Sequence, residues 1–168
     1  MFTGWGVLAG LPASPRIVDC GVIRLDRSAP FAARLAELQR KFERVVAQFE
    51  PTGAAVESPF HGVNARSALQ LAHARGVILA VLAGAGLEIS EYTPATVKKS
   101  VAGNGKADKA EIIRTTAWLL GPEASDQPSD VADALAVALC HLSMQGPLAA
   151  AVARDRRRRP PDPEAGRR

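Results

Sequence analysis

Three acids and four lysines are the side chains whose type and spacing could do chemistry in this chain. Glu57 ends the otherwise apolar run GAAVE at 53–57. Ligands of open α/β sheets gather beyond the carboxyl ends of strands, so Glu57 could serve a site there or simply meet solvent. Asp130 and Asp133 stand three apart at the head of the apolar stretch VADALAVALCHL. On a helix that spacing projects both carboxylates from nearly one side. Two acids on a burial-prone helix need something to offset desolvation and mutual repulsion, and a divalent cation would do so. The competing reading is that they favour the helix macrodipole, with Ser129 as cap.

Lys98, Lys99, Lys106 and Lys109 are a lysine cluster around the loop Gly103-Asn104-Gly105. A glycine-rich loop lets a backbone approach phosphate, but solvated helix ends carry lysines too. His61 follows Phe60 in a loop, and neither His73 nor His141 stands at metal-ligand spacing from it. No nucleophile elbow, no Walker loop and no Cys–His pairing occurs.

Elements must bring these residues together. Residues 3–10 and 16–25 read as strands joined by a proline-containing turn, hence an antiparallel hairpin. Pro30 opens a helix to about residue 50, its apolar residues recurring at three and four. A short buried strand follows at 53–57. A helix at about 64–85 is apolar nearly all round after Arg75, which predicts burial. A strand at 87–92, a helix near 94–102, a helix at 108–120 and a last helix at about 129–144 complete the order. That order predicts an α/β fold, a mixed sheet with helices on both faces.

The chain has 168 residues, 47% hydrophobic and 23% charged, which suits one domain. Its net charge of +4 sits wholly in the tail, where residues 154–168 hold seven Arg against three acids. Residues 1–153 are therefore neutral, and the pI near 9.5 does not describe the body. The tail from 147 to 168 is expected to be disordered. Two cysteines exclude a disulfide scaffold and a four-cysteine zinc site, and a reducing cytoplasm fits them. Uncharged runs such as 76–87 are too short to cross a bilayer. The start lacks the charged region of a signal peptide.

Four segments together resemble the RuvC-type Holliday-junction resolvases. Residues 56–76 (VESPFHGVNARSALQLAHARG) are similar to the family's central motif: a strand-end glutamate, an aromatic three residues on, then a SAL-x-L-x-x-A-R-G helix. Residues 97–109 (VKKSVAGNGKADK) resemble its lysine-bearing loop, 130–141 (DVADALAVALCH) its last active-site helix, and 3–7 (TGWGV) its second strand. The resemblance implies a ribonuclease H-like fold in residues 1–146 and a homodimer that nicks four-way DNA junctions during recombination and repair. It implies Mg²⁺ as cofactor, two ions per subunit, with Mn²⁺ able to substitute. Glu57, Asp130 and Asp133 match three of its four acidic ligands. Phe60 matches the aromatic near opened bases. Lys98 and Lys109 match DNA-contacting lysines, and Lys99 and Lys106 neighbour them. Partners implied are junction DNA and a branch-migration helicase complex of the RuvA and RuvB type, in the cytoplasm and with no membrane.

One departure accompanies the resemblance. The family opens with a strand ending in Asp-Pro-Gly, central in its sheet between the hairpin and the glutamate strand. Its aspartate is the fourth acid, and no segment here matches it. Two explanations stand, a start assigned too late or a truncated product. The alternative function is a non-catalytic junction-binding protein that lacks the first acid. A ribonuclease H-like nuclease acting on RNA or other branched DNA is the remaining possibility, against which the 67–76 helix and the lysine loop argue.

Overall fold

The computed structural model describes residues 2–58 and 65–145. Phe60, His61 and the tail from 147 lie outside the described residues. Strands β1 (Phe2–Leu11) and β2 (Ser14–Arg24) form the expected antiparallel hairpin, with Leu11 paired to Ser14 across the Pro12–Ala13 turn. A register shift between Val7 and Leu8 leaves Val18 out of the pairing. Helix α1 (Phe31–Phe49) follows Pro30, and it buries Leu38 completely. Strand β3 (Ala54–Glu57) crosses over through helix α2 (Ala65–Gly84) to pair in parallel with β4 (Ile89–Tyr92). Helices α3 (Pro94–Ala102), α4 (Lys109–Leu120) and α5 (Ser129–Met144) complete the chain, with one 3₁₀ turn at Pro122–Ala124.

Both sheet faces are covered, as the element order predicts. On one face α3, α4 and α5 gather Val97, Val101, Ile112, Leu135 and Cys140 into a core. Leu8, Ile17, Cys20 and Val22 from the hairpin and Ala55 and Tyr92 from the parallel pair pack against that same core. On the other face Ile23 and Leu25 join Leu38 of α1 and Ala74 of α2.

The strands do not share one ladder. Among the described residues, β1 pairs only with β2 and β3 only with β4. Helix α5 shows how the two pairs relate. Gly4 lies against Asp130 and Gly6 against Leu135, so β1 runs along α5. Gly53 lies against His141, while Glu57 feels the charge of Asp133, so β3 runs the opposite way. Both pairs thus lie on one helix as one layer, and the ladder breaks between β1 and β3. The resemblance puts a further central strand at that place.

Two expectations are corrected by the packing. Helix α2 is not buried: the stretch Ser67–Gly84 has mean hydropathy 1.4, yet only 17% of it is buried. It packs chiefly on α1, leaving Leu69 and Leu71 60% and 64% exposed. By length and composition this stretch could also cross a membrane, although uncharged runs alone are too short. It reaches that length only by including His73 and Arg75, and Arg75 is ion-paired to Glu91. Second, Ser129 does not cap α5. The cap position is Pro128, which carries no side-chain hydrogen bond, and the Ser129 hydroxyl accepts one from Lys109 instead.

Candidate active site

The glycines of TGWGV explain how α5 reaches the sheet. A Cβ on Gly4 would stand 1.9 Å from the Asp130 carbonyl oxygen, and one on Gly6 would stand 2.7 Å from Leu135 Cδ2. Only glycine permits that approach, so the backbone of α5's first turn rests directly on β1. Behind it α5 is wedged by Val131, Ala132, Leu135, Ala136 and Val137, all buried. The first turn therefore presents Asp130 and Asp133 at the surface from a fixed base.

Glu57 comes from the opposite direction, as the last residue of β3. Its neighbour Ser58 donates from its backbone N–H to the Tyr92 carbonyl at 2.7 Å, which ties the strand end to β4. Ala55, two residues earlier and on the same side of the strand, packs into the α5 core. Glu57 thus faces α5.

Helix α3 and the loop after it supply the cations. Thr93 caps α3, its hydroxyl accepting from the Thr96 N–H at 3.1 Å. Gly103 ends the helix at φ +72°, a left-handed conformation that favours glycine. The Asn104 side-chain oxygen then accepts from the Lys106 N–H at 2.9 Å, and Asp108 caps α4 by accepting from the Glu111 N–H at 2.7 Å. The glycine-rich loop is thus a helix stop joined to a helix start, and its conformation needs no phosphate to explain it. It puts Lys109 in the first turn of α4.

Lys109 Nζ donates to Asp133 Oδ2 at 3.2 Å and to the Ser129 hydroxyl. Both ends of the ion pair are more than half exposed, so its contribution to stability is small. Its importance lies in charge. Glu57 is exposed as a residue, but partial burial of its carboxyl pushes its pKa upward. The charge of Asp133 pushes the same way, while Lys109 and Lys98 oppose it. These four groups therefore act on one another.

Glu57, Asp133, Lys98 and Lys109 are thus brought together. Asp130 is exposed one turn earlier, and no three acid, histidine or cysteine side chains converge into a metal-ready group among the described residues. Lys99 and Lys106 are exposed on α3 and the loop, without a described contact to the acids. The desolvation expected for Asp130 and Asp133 falls instead on Glu57, because the two aspartates sit at the open end of α5. His141 is spent in packing. It meets the Tyr92 hydroxyl at 3.0 Å and the Gln145 side chain at 2.8 Å, and burial pushes its pKa down.

Two carboxylates from opposed elements, with the charge of Asp133 opposing ionisation of Glu57, fit a hard cation that keeps several waters. An ammonium already lies on one of them.

One residue at the site was missed from sequence. Arg75 of α2 donates from Nε to the Glu57 carbonyl oxygen at 3.4 Å and pairs through its guanidinium with Glu91. Its one signal was to be a charge set in an apolar helix.

Comparison with known proteins places the chain in a family. Residues 1–141 match the family model described as crossover junction endodeoxyribonuclease RuvC. The RuvC protein of Azorhizobium caulinodans is 46% identical over 147 residues, covering 88% of this chain and 86% of that one. That of Sorangium cellulosum is 47% identical over 150 residues, covering 89% and 83%. The solved structure of Thermus thermophilus RuvC superposes with a TM-score of 0.77 at 31% identity, covering 85% of this chain and 88% of that one. A structure of T. thermophilus RuvC in complex with Holliday junction substrate superposes equally, at 0.77 and 27% identity, covering 86% and 87%. This chain therefore belongs to the RuvC family of crossover junction endodeoxyribonucleases.

Proposed function

We propose that this chain resolves four-way DNA junctions by paired, metal-dependent nicks, with Glu57 and Asp133 as metal ligands and Asp130 completing the carboxylate set. One observation carries the reading: opposed elements bring Glu57 and Asp133 into electrostatic contact with Lys98 and Lys109 beside them. The family is one of hydrolytic, metal-dependent nucleases. Bound metal supplies an activated water and stabilises the leaving 3′ oxygen. The expected set is two Mg²⁺ per subunit, with Mn²⁺ as substitute. Glu57 and Asp133 would hold it. Lys109 and Lys98 would hold the phosphate backbone of the strand to be cut. Lys99 and Lys106 extend that basic edge outward. Phe60 stands at the opened bases by family resemblance.

The exposed apolar face of α2 supports a homodimer. Leu71 lies open, 64% exposed, on the stretch Ser67–Gly84, of which 17% is buried, and a second copy would cover it. A dimer sets two sites on two strands of one junction. The same reading puts the protein in the cytoplasm with a RuvA and RuvB type helicase complex.

Mg²⁺-dependent nicking of a synthetic four-way junction tests the reading. Glu57→Gln and Asp133→Asn should abolish nicking while junction binding survives, since affinity comes mainly from phosphate contacts. Substantial cleavage by either variant would sink the ligand assignment. Absence of nicking in the parent, with tight junction binding, would overturn the proposed activity.

A further inference from the structure

We propose that Arg75 is a positioning residue that holds Glu57 in its metal-binding attitude from behind the sheet. The inference rests on the reading of Glu57 as a metal ligand. Glu57 ends β3 paired with Tyr92 of β4, and its neighbour Ser58 donates to the Tyr92 carbonyl. Arg75 reaches it from the opposite face. Its Nε donates to the Glu57 carbonyl oxygen at 3.4 Å, and its guanidinium also pairs with Glu91 of β4. Glu91 stands opposite Val56 in the ladder and Tyr92 opposite Glu57. One side chain therefore clamps the ends of both strands at the rung that carries the ligand.

The chemistry suits the task. A guanidinium is planar, always charged and presents donors in a rigid fork, so it can serve a carbonyl and a carboxylate together. Arg75 is mostly buried, with 21% of its side chain exposed, while Glu91 is 48% exposed. A half-exposed pair adds little to stability, so stability alone is a poor reason for a charge in an otherwise apolar stretch of α2. A strand-end carboxylate binds metal well only if its geometry is set beforehand.

The test uses the full-length protein and reads three things: the Mg²⁺ midpoint of single-turnover junction nicking, the junction affinity, and the rise in melting temperature caused by Mn²⁺ alone. Arg75→Gln should raise the Mg²⁺ midpoint about tenfold and shrink the Mn²⁺-induced rise, while junction affinity stays within about twofold. Excess Mg²⁺ should recover part of the rate. Arg75→Lys should fall between, since a compact ammonium does not span the two acceptors as the guanidinium fork does. An unshifted midpoint with an unchanged Mn²⁺ response overturns the proposal. So does a loss of stability and junction affinity with no change in the midpoint, which marks a merely structural contact. If Arg75→Gln does not fold, Glu91→Gln carries the test, because it loosens the clamp and leaves Arg75 in place. It should raise the midpoint less, and no rise overturns the proposal. Glu57→Gln separates the two claims. If it nicks at the parental rate, the reading of Glu57 fails. If it is inactive while Arg75→Gln behaves as the parent, only the clamp fails.

Discussion

Helices α2 and α5 are both long and apolar, yet the protein treats them in opposite ways. Helix α5 has seven buried residues and touches both strand pairs, α3 and α4. Helix α2 leans mainly on α1 and leaves Leu69 and Leu71 in solvent. Composition does not separate them. The difference comes from what faces each helix. Gly4 and Gly6 remove the Cβ atoms that would hold α5 away from β1, so its backbone lies on the strand. Helix α2 has no such seat and meets its neighbour through side chains such as His73 on Phe31. An apolar helix is therefore buried only where its neighbours make room.

The contrast can be broken first at two leucines. Leu135→Ala in α5 removes a fully buried side chain and should cost about 2–5 kcal/mol, read by denaturant unfolding. Leu71→Ala in α2 should stay within about 0.5 kcal/mol for the isolated subunit. Similar losses at both sites would mean that α2 is as well covered as α5.

Gly4→Ala sharpens the account of the seat. Its methyl would overlap the Asp130 carbonyl, so α5's first turn must shift, at about 1–3 kcal/mol. The shift should also weaken metal binding, because Asp130 and Asp133 ride on that turn. A variant with parental stability and parental Mg²⁺ midpoint would show that β1 does not set the acids.

Leu71→Glu tests what covers α2. A charge on that face should move the protein from dimer to monomer in sedimentation while its circular dichroism is kept, and paired nicking should become single nicks. An unchanged dimer would exclude the face as the subunit contact.

The smallest effect is on pH. The Glu57 pKa lies above its ordinary 4.5 in the folded chain, so the native state holds this proton longer than the unfolded state. In metal-free protein, stability should decline as pH rises through the Glu57 titration, and Glu57→Gln should remove that decline. Metal affinity should move the other way, falling as pH drops through the same raised value. Lys109→Met removes a charge that opposes the upward shift, and should move both midpoints to higher pH. A pH profile unaltered by Glu57→Gln would show that another group titrates there.

Element identities and the acids and lysines of the site were legible before any fold was seen, because their signals are local. Pro30, Thr93, Gly103 and Asp108 begin or end helices through contacts within a few residues. The hairpin and the last helix follow from short-range pattern for the same reason. Legibility stopped where distant residues decide. Ser129 reads as a cap from its neighbours, but Lys109, twenty residues earlier, claims its hydroxyl.

The sequence by itself determined which segments are helix or strand, which carboxylates and ammoniums are available, and which family the motifs resemble. Tertiary structure alone decided that β1 and β3 share a layer without sharing a ladder, that α2 stays open while α5 closes, that Glu57 rather than the aspartates bears the desolvation, and that Arg75 reaches the back of the site. The physical reason is range. Caps and turns are satisfied within one turn of chain, whereas burial, charge coupling and strand neighbours depend on residues that only packing brings together.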